Sequence, residues 1–376
     1  MDDTTTDERQ PIVNCHTHVF TLDCIPDGIL PTPLMSLMRK GWLRRHFVRK
    51  FESGMFGENL QRAMRFARIT GDLSQRQVFD VVAGYYPEDT RFVILPMDMA
   101  IMAGGEAPTT LKQQHDELAE IAKETGGKAM PFCAVDPRRE GVLDELKRCH
   151  QEHGFHGVKL YPPLGFKPWD PVLRDQIYPY CVANNLPVMT HCSRGGLRQK
   201  GMSDSDQAAV TGPIAFQDIL HDFPGLRVCL AHFGGEADWN DYLGKPHPGP
   251  LGQPRFRGEN WLTCILDWLR QEKFPNLWTD VSYTMFNTTQ NIPALNVFLQ
   301  DELVAKRVLF GSDYYMAEIE AKSERQVSIE LRHGIGDALF HRIAVANPVE
   351  WLTGKKAPAT GNTTIGPMKK TLPAME

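Results

Sequence analysis

Eight short apolar runs rich in β-branched residues recur along the chain, and a helical pattern separates most neighbours in the series. The first four runs are "PIVNCHTH" (11–18), "RFVILPMDM" (91–99), "AMPFCAVDP" (129–137) and "HGVKLYPP" (156–163). The last four are "LPVMTHCS" (186–193), "LRVCLAHFGG" (226–235), "LWTDVSY" (277–283) and "RVLFGSDYY" (307–315). Of the helical stretches, residues 112–125 carry Leu118, Ile121 and Ala122, and residues 138–153 carry Val142, Leu143 and Leu146. Residues 291–304 carry Leu295, Val297, Phe298 and Leu299. Strand–helix alternation of this kind calls for parallel strands joined by right-handed crossovers. Eight such units predict an α/β fold closed into a (β/α)8 TIM-like barrel. The alternative, an open doubly wound sheet, needs a glycine-rich phosphate turn after its first strand, and none follows residue 18.

Two connections are too long to be simple turns. Residues 21–90 contain "LMRKGWLRRHFVRKFESG" and "GENLQRAMRFARITG", both helical in pattern, which predicts a helical insertion over the barrel mouth. Residues 236–259 are rich in Pro and Gly and follow the sixth run, and loops of this length in compact domains are commonly functional. Residues 1–354 read as one barrel unit and 355–376 as an extended polar tail. A net charge of −5 argues against a nucleic-acid partner. The polar, acidic start lacks a signal-peptide pattern, and no run approaches a membrane span. The eight cysteines form no C-x-x-C pair, which suggests reduced thiols and a cytoplasmic protein. Strand parity turns Cys15 and Cys192 away from the neighbouring histidines, into packing of the barrel wall. The oligomeric state is open, a homo-oligomer included.

The chemistry lies where polar residues fall on the runs. His16 and His18 stand two apart, so a strand aims both at one point. His191, His232 and Asp313 end later runs, and Lys159 lies slightly deeper in its own. Barrel enzymes collect their reactive groups at the C-terminal strand ends. Burying so many ionisable groups without partners costs several kcal/mol each, and coordination of a divalent cation removes that cost. Imidazole with carboxylate suits Zn2+, with Mn2+ or Fe2+ as alternatives.

This pattern resembles the amidohydrolase superfamily, and within it the "amidohydrolase 2" branch that includes aminocarboxymuconate-semialdehyde decarboxylase. The carriers are His-x-His on the first run, Lys159 on the fourth, His191, His232 and Asp313, with the closing "NPVEWLTG" (347–354). The resemblance implies that His16, His18 and Asp313 bind the more buried metal, and that Asp313 accepts the proton of an attacking water. It implies that His191 and His232 hold a second metal or divide the work, His232 serving as base or electrophile. "KLYP" (159–162) resembles the lysine strand of dihydroorotases, where a carbamate on lysine bridges two cations. The bland alternative keeps Lys159 a cation that binds a substrate carboxylate. One or two ions, Zn2+ or Mn2+, are thus expected, with carbamylated Lys159. The expected reaction is hydrolysis of an amide, ester or lactone in a small polar molecule by metal-activated water. The rivals are a single-metal non-oxidative decarboxylase and a non-catalytic metal-binding barrel. Arg194 and Tyr283, at the ends of their runs, are expected to contact substrate.

Overall fold

The computed structural model describes residues 10–29, 38–41, 58–102, 105–244, 259–320 and 322–356. Its strands are β1 (Val13–Thr17), β2 (Arg91–Ile94), β3 (Ala129–Pro131), β4 (Cys133–Ala134) and β5 (Val158–Leu160), then β6 (Val188–Thr190), β7 (Val228–Leu230), β8 (Leu277–Asp280) and β9 (Val308–Leu309). Every pairing is parallel, in the orders β1-β2-β3 and β4 through β9. β3 and β4 are one run interrupted at Phe132, whose N–H still reaches the Ile94 carbonyl (2.9 Å), while the Cys133 N–H reaches Gly157 (2.9 Å). Across the last seam the Cys15 N–H donates to the Phe310 carbonyl (2.8 Å) and the His18 N–H to the Tyr314 carbonyl (2.9 Å). The expected α/β barrel is therefore present, with eight staves.

Strands buried on both faces read as nearly continuous apolar runs, and these do. One parity faces inward: Val13, Val93, Met130, Met189, Cys229, Trp278 and Leu309 form a single cluster. The other parity, with Val158, Leu160, Val188, Val228 and Leu277, packs against the surrounding helices. Trp351, on the closing helix Asn347–Thr353, joins the inner cluster with its ring 5.5 Å from that of Phe132. Cys15 also lies in this inner cluster, against the expectation from parity. The pairing of β1 with β2 shifts register between Asn14 and Thr17, so strict alternation fails there. Cys192 packs outward, as expected.

The expected helices appear as Leu111–Glu124, Val142–Gln151 and Thr288–Leu299. The third is a partial miss: Leu295, Phe298 and Leu299 are buried, but Val297 is 69% exposed. Of the 21–90 insertion, helices Glu58–Thr70 and Gln75–Ala83 are seen, the second opened by a reciprocal Ser74/Gln77 cap. Much of "LMRKGWLRRHFVRKFESG" lies outside the described residues, as do 245–258 of the second long loop and 357–376 of the tail. Helix Glu58–Thr70 docks on the segment just after Asp313: Arg65 donates to the Ile319 carbonyl (2.7 Å) and Arg62 pairs with Glu320 (2.8 Å). The insertion thus reaches the C-terminal end of the barrel.

A buried polar chain ties β1 to the outer helices. The Tyr86 hydroxyl donates to Glu324 (2.6 Å), and Asn14 donates to Ser312 Oγ (2.8 Å) while accepting from the backbone N–H groups of Ser312 and His16. Burial pushes the Glu324 carboxyl from 4.5 up to about 7. A raised carboxyl favours the fold while protonated, so that contribution is complete below 4.5 and disappears as pH rises through about 7. Ionising it should cost about 3 kcal/mol by pH 8. Glu324→Gln should remove this pH dependence. Urea unfolding at pH 4.5 and pH 8 checks it, and an unchanged difference between variant and parent at both values refutes it.

Candidate metal centre

The C-terminal strand ends bring His16, His18, Lys159, His191, His232 and Asp313 together in a buried site. Three of them adopt geometry that ordinary residues avoid or that needs local room. His232 and Asp313 have left-handed backbones (φ 67° and 59°), at a cost of roughly 1–3 kcal/mol each, which turns their side chains over the barrel axis. His16 has room because residue 311 is glycine, where a Cβ would stand 2.7 Å from His16 Cβ.

Hydrogen bonds assign the protons. His16 Nδ1 donates to Asp280 Oδ2 (2.9 Å), which leaves Nε2 a lone pair, buried and without a partner. His18 Nδ1 donates to the Leu95 carbonyl (2.7 Å), so its Nε2 is also an acceptor. These two nitrogens stand 3.7 and 3.2 Å from Asp313 Oδ1. Three acceptors meet with no hydrogen to share, and a divalent cation is a partner for all of them at once. The carboxylate behind His16 is the orientation device common to metal-binding histidines. Burial and then the Lys159 charge push the His16 imidazole down to about 3, which keeps it a neutral donor. Burial also drives His191 and His232 down.

Lys159 is 2% exposed and its Nζ has no hydrogen-bond partner. Burial lowers its ammonium to about 8, against the pull of Asp280 and Asp313. His191 stacks on Tyr161 with ring centres 4.5 Å apart, and its Nδ1 lies 3.0 Å from His232 Nε2. Gly196 packs against both: a Cβ there would be 2.3 Å from the Tyr161 hydroxyl.

The two expected substrate contacts stand differently. Tyr283, itself left-handed (φ 61°), has its ring 6.5 Å from that of His232, and its hydroxyl donates to Glu320 (3.3 Å). It lies at the mouth beside the insertion. Arg194 gives its fork to Asp238 (2.8 and 3.2 Å) and stacks 4.1 Å from the Trp261 ring centre. Asp280 and Ser282 were not anticipated. Their signal was present in "LWTDVSY": a carboxylate inside an apolar run, with the serine two residues on and of the same parity.

A second group, His115, Cys133 and Cys149, also has its polar atoms within 4.8 Å of one another. Its imidazole is already used: Nδ1 donates to Glu145 (2.8 Å) and Nε2 accepts the Ala134 N–H (3.1 Å). It is a buried brace between two helices and a strand, and lacks the unshared acceptors of the barrel site.

The class follows from barrel and donor set, and sequence comparison agrees with it. The amidohydrolase family profile matches residues 13–353, and the chain belongs to that family. No curated protein matches. Solved structures share the fold at low identity. The 5-carboxyvanillate decarboxylase from Sphingomonas paucimobilis is 12% identical, with 92% of this chain and 99% of that one covered and a TM-score of 0.53. A probable 2-pyrone-4,6-dicarboxylic acid hydrolase from Acinetobacter baumannii, with citric acid bound, is 14% identical, with 92% and 99% covered and a TM-score of 0.52. A dihydroxybenzoic acid decarboxylase from Polaromonas, with bound manganese and 2-nitroresorcinol, is 17% identical, with 93% and 98% covered and a TM-score of 0.51. No helix among the described residues is long and apolar enough to cross a membrane.

Proposed function

We propose that the protein is a divalent-metal-dependent hydrolase that cleaves an amide, ester or lactone in a small polar molecule. The carrying observation is the meeting of His16 Nε2, His18 Nε2 and Asp313 Oδ1 without a hydrogen between them. These residues would hold Zn2+ or Mn2+, which supplies acidification of water, from about 15.7 toward 7, and polarisation of a carbonyl. Asp313 takes the proton of the attacking water and returns it to the leaving group. With one ion, His232 serves as base or electrophile; with two, it is a ligand of the second. Lys159 supports the two-ion form of this reading. With its ammonium lowered to about 8, a useful fraction is free amine near neutral pH. The amine nitrogen bonds to the carbon of CO2 and releases one proton, giving a carbamate whose oxygens are acceptors. Tyr283 offers a hydroxyl at the mouth, and Arg194 steadies the loop that carries it after His191.

A second reading is non-oxidative decarboxylation, with one ion and His232 protonating the carbon that loses CO2. It is favoured by the shared fold with decarboxylases of aromatic acids. Chelator-treated protein should lose its activity and recover it with Zn2+ or Mn2+. A panel of lactones, amides and aromatic acids assayed on the reloaded enzyme separates the two readings. Absence of a stoichiometric transition metal, with none that can be bound, overturns both.

A further inference from the structure

Ser282 Oγ touches three groups at once: Asp280 Oδ1, His16 Nδ1 at 3.1 Å and His232 Nδ1 at 2.9 Å. A hydroxyl has one hydrogen. Asp280 is an acceptor: its Oδ1 receives the backbone N–H groups of His232 and Ser282 (both 3.0 Å), and its Oδ2 receives the His16 Nδ1 proton. The serine hydrogen therefore goes to Asp280, and Oγ can only accept from the two histidines. His16 already carries its proton on Nδ1. His232 must do the same, and the Ser282 carbonyl, 3.3 Å from the same Nδ1, is a second acceptor for it. His232 Nε2 is then a lone pair. It faces His191 Nδ1 at 3.0 Å. That nitrogen is a lone pair too, because His191 Nε2 donates to the Gly195 carbonyl (3.0 Å). Two lone pairs facing each other at this distance repel, and a cation between them is a partner for both.

Resting on the two-ion form of the metal-dependent reading above, in which His191 and His232 hold the second cation, we propose that Ser282 is a positioning residue: it locks the His232 proton on Nδ1 and so keeps His232 Nε2 a lone pair facing His191 Nδ1. Relaying through Asp280, the same hydroxyl joins the ligand sets of the two ions, since Asp280 also orients His16. The His191–His232 contact is therefore a ligand pair rather than a hydrogen bond.

The test reads the proton directly. The metal-free, full-length protein, labelled with 15N-histidine, should give a His232 correlation with hydrogen on Nδ1, assigned by the signal that vanishes in His232→Asn. Ser282→Ala should move that hydrogen toward Nε2, where it can donate to His191. The affinity for a second Zn2+ should fall roughly ten- to a hundredfold, and Ser282→Thr, which keeps the hydroxyl, should restore most of it. A wild-type His232 protonated on Nε2, or a second-ion affinity in Ser282→Ala within about twofold of the parent, overturns the proposal. Should Ser282→Ala fail to fold, the wild-type tautomer alone decides. Failure of any ion to bind at His16, His18 and Asp313 sinks the functional reading instead, and the metal-free spectrum still reports on Ser282.

Discussion

Asp313→Asn should lower kcat by roughly three orders of magnitude, with KM changed far less. The substitution keeps the shape of the side chain but removes the anionic oxygen that stands 3.2 and 3.7 Å from the two histidine lone pairs. On the proposed hydrolytic reading it also removes the base that takes the proton from water, so the loss falls on the chemical step. The same change should act in the opposite sense on the metal-free fold. There, three acceptors crowd together in a buried space, and an amide N–H can donate to one of them. Metal-free Asp313→Asn should therefore be more stable than the metal-free parent by about 1 kcal/mol. Steady-state kinetics on the reloaded enzymes and urea unfolding of the stripped ones check the pair. Retention of more than about a tenth of the parental kcat would show that Asp313 is not the base.

Removing Lys159 is the second large expected effect. Its ammonium is buried without a hydrogen-bond partner beside a site built to hold a cation. Like charges in a low-dielectric pocket repel strongly, so a positive Lys159 opposes the ion that His16, His18 and Asp313 attract. In the proposed two-ion form, carbamylation reverses the sign and supplies acceptors. Lys159→Ala should then lose one ion and most activity, on the order of a hundredfold or more, with partial rescue by a short added carboxylic acid. Lys159→Arg should not rescue, because its guanidinium keeps the charge and cannot form the carbamate. Depleting dissolved CO2 during preparation should weaken the parent enzyme, and bicarbonate should restore it. Near-parental turnover in Lys159→Arg, or a single ion beside an unmodified lysine, would favour the decarboxylase reading. In that case Lys159 serves as a fixed cation for a substrate carboxylate.

The sequence exposed those features of the site that follow from local periodicity. His16 and His18 share a face because strands have a period of two, and His191, His232 and Asp313 could be placed because each apolar run has a visible end. Lys159 was visible for the same reason, a charge within "HGVKLYPP". Residues that act through another strand were harder to see. Asp280 matters because it accepts the His16 proton from 264 positions away, and Ser282 because it touches two histidines on different strands. Cys15 was misplaced because parity assumes an unbroken ladder, and β1 shifts register at that point. Val297 looked like core because composition marks a residue as apolar without saying which helix face meets the sheet.

The sequence by itself determined the strand–helix alternation, the order of the candidate site residues and the end of the barrel at which they gather. These are properties of short stretches, set by side-chain periodicity and by the reach of each crossover. Only the tertiary structure decided where the protons sit. The Leu95 and Gly195 carbonyls, Asp280 and Ser282 each fix one imidazole nitrogen as a donor, and the opposite nitrogen is thereby left as a lone pair. A tautomer is chosen by whichever acceptor the closed barrel brings within about 3 Å, and closure joins residues that no local pattern connects.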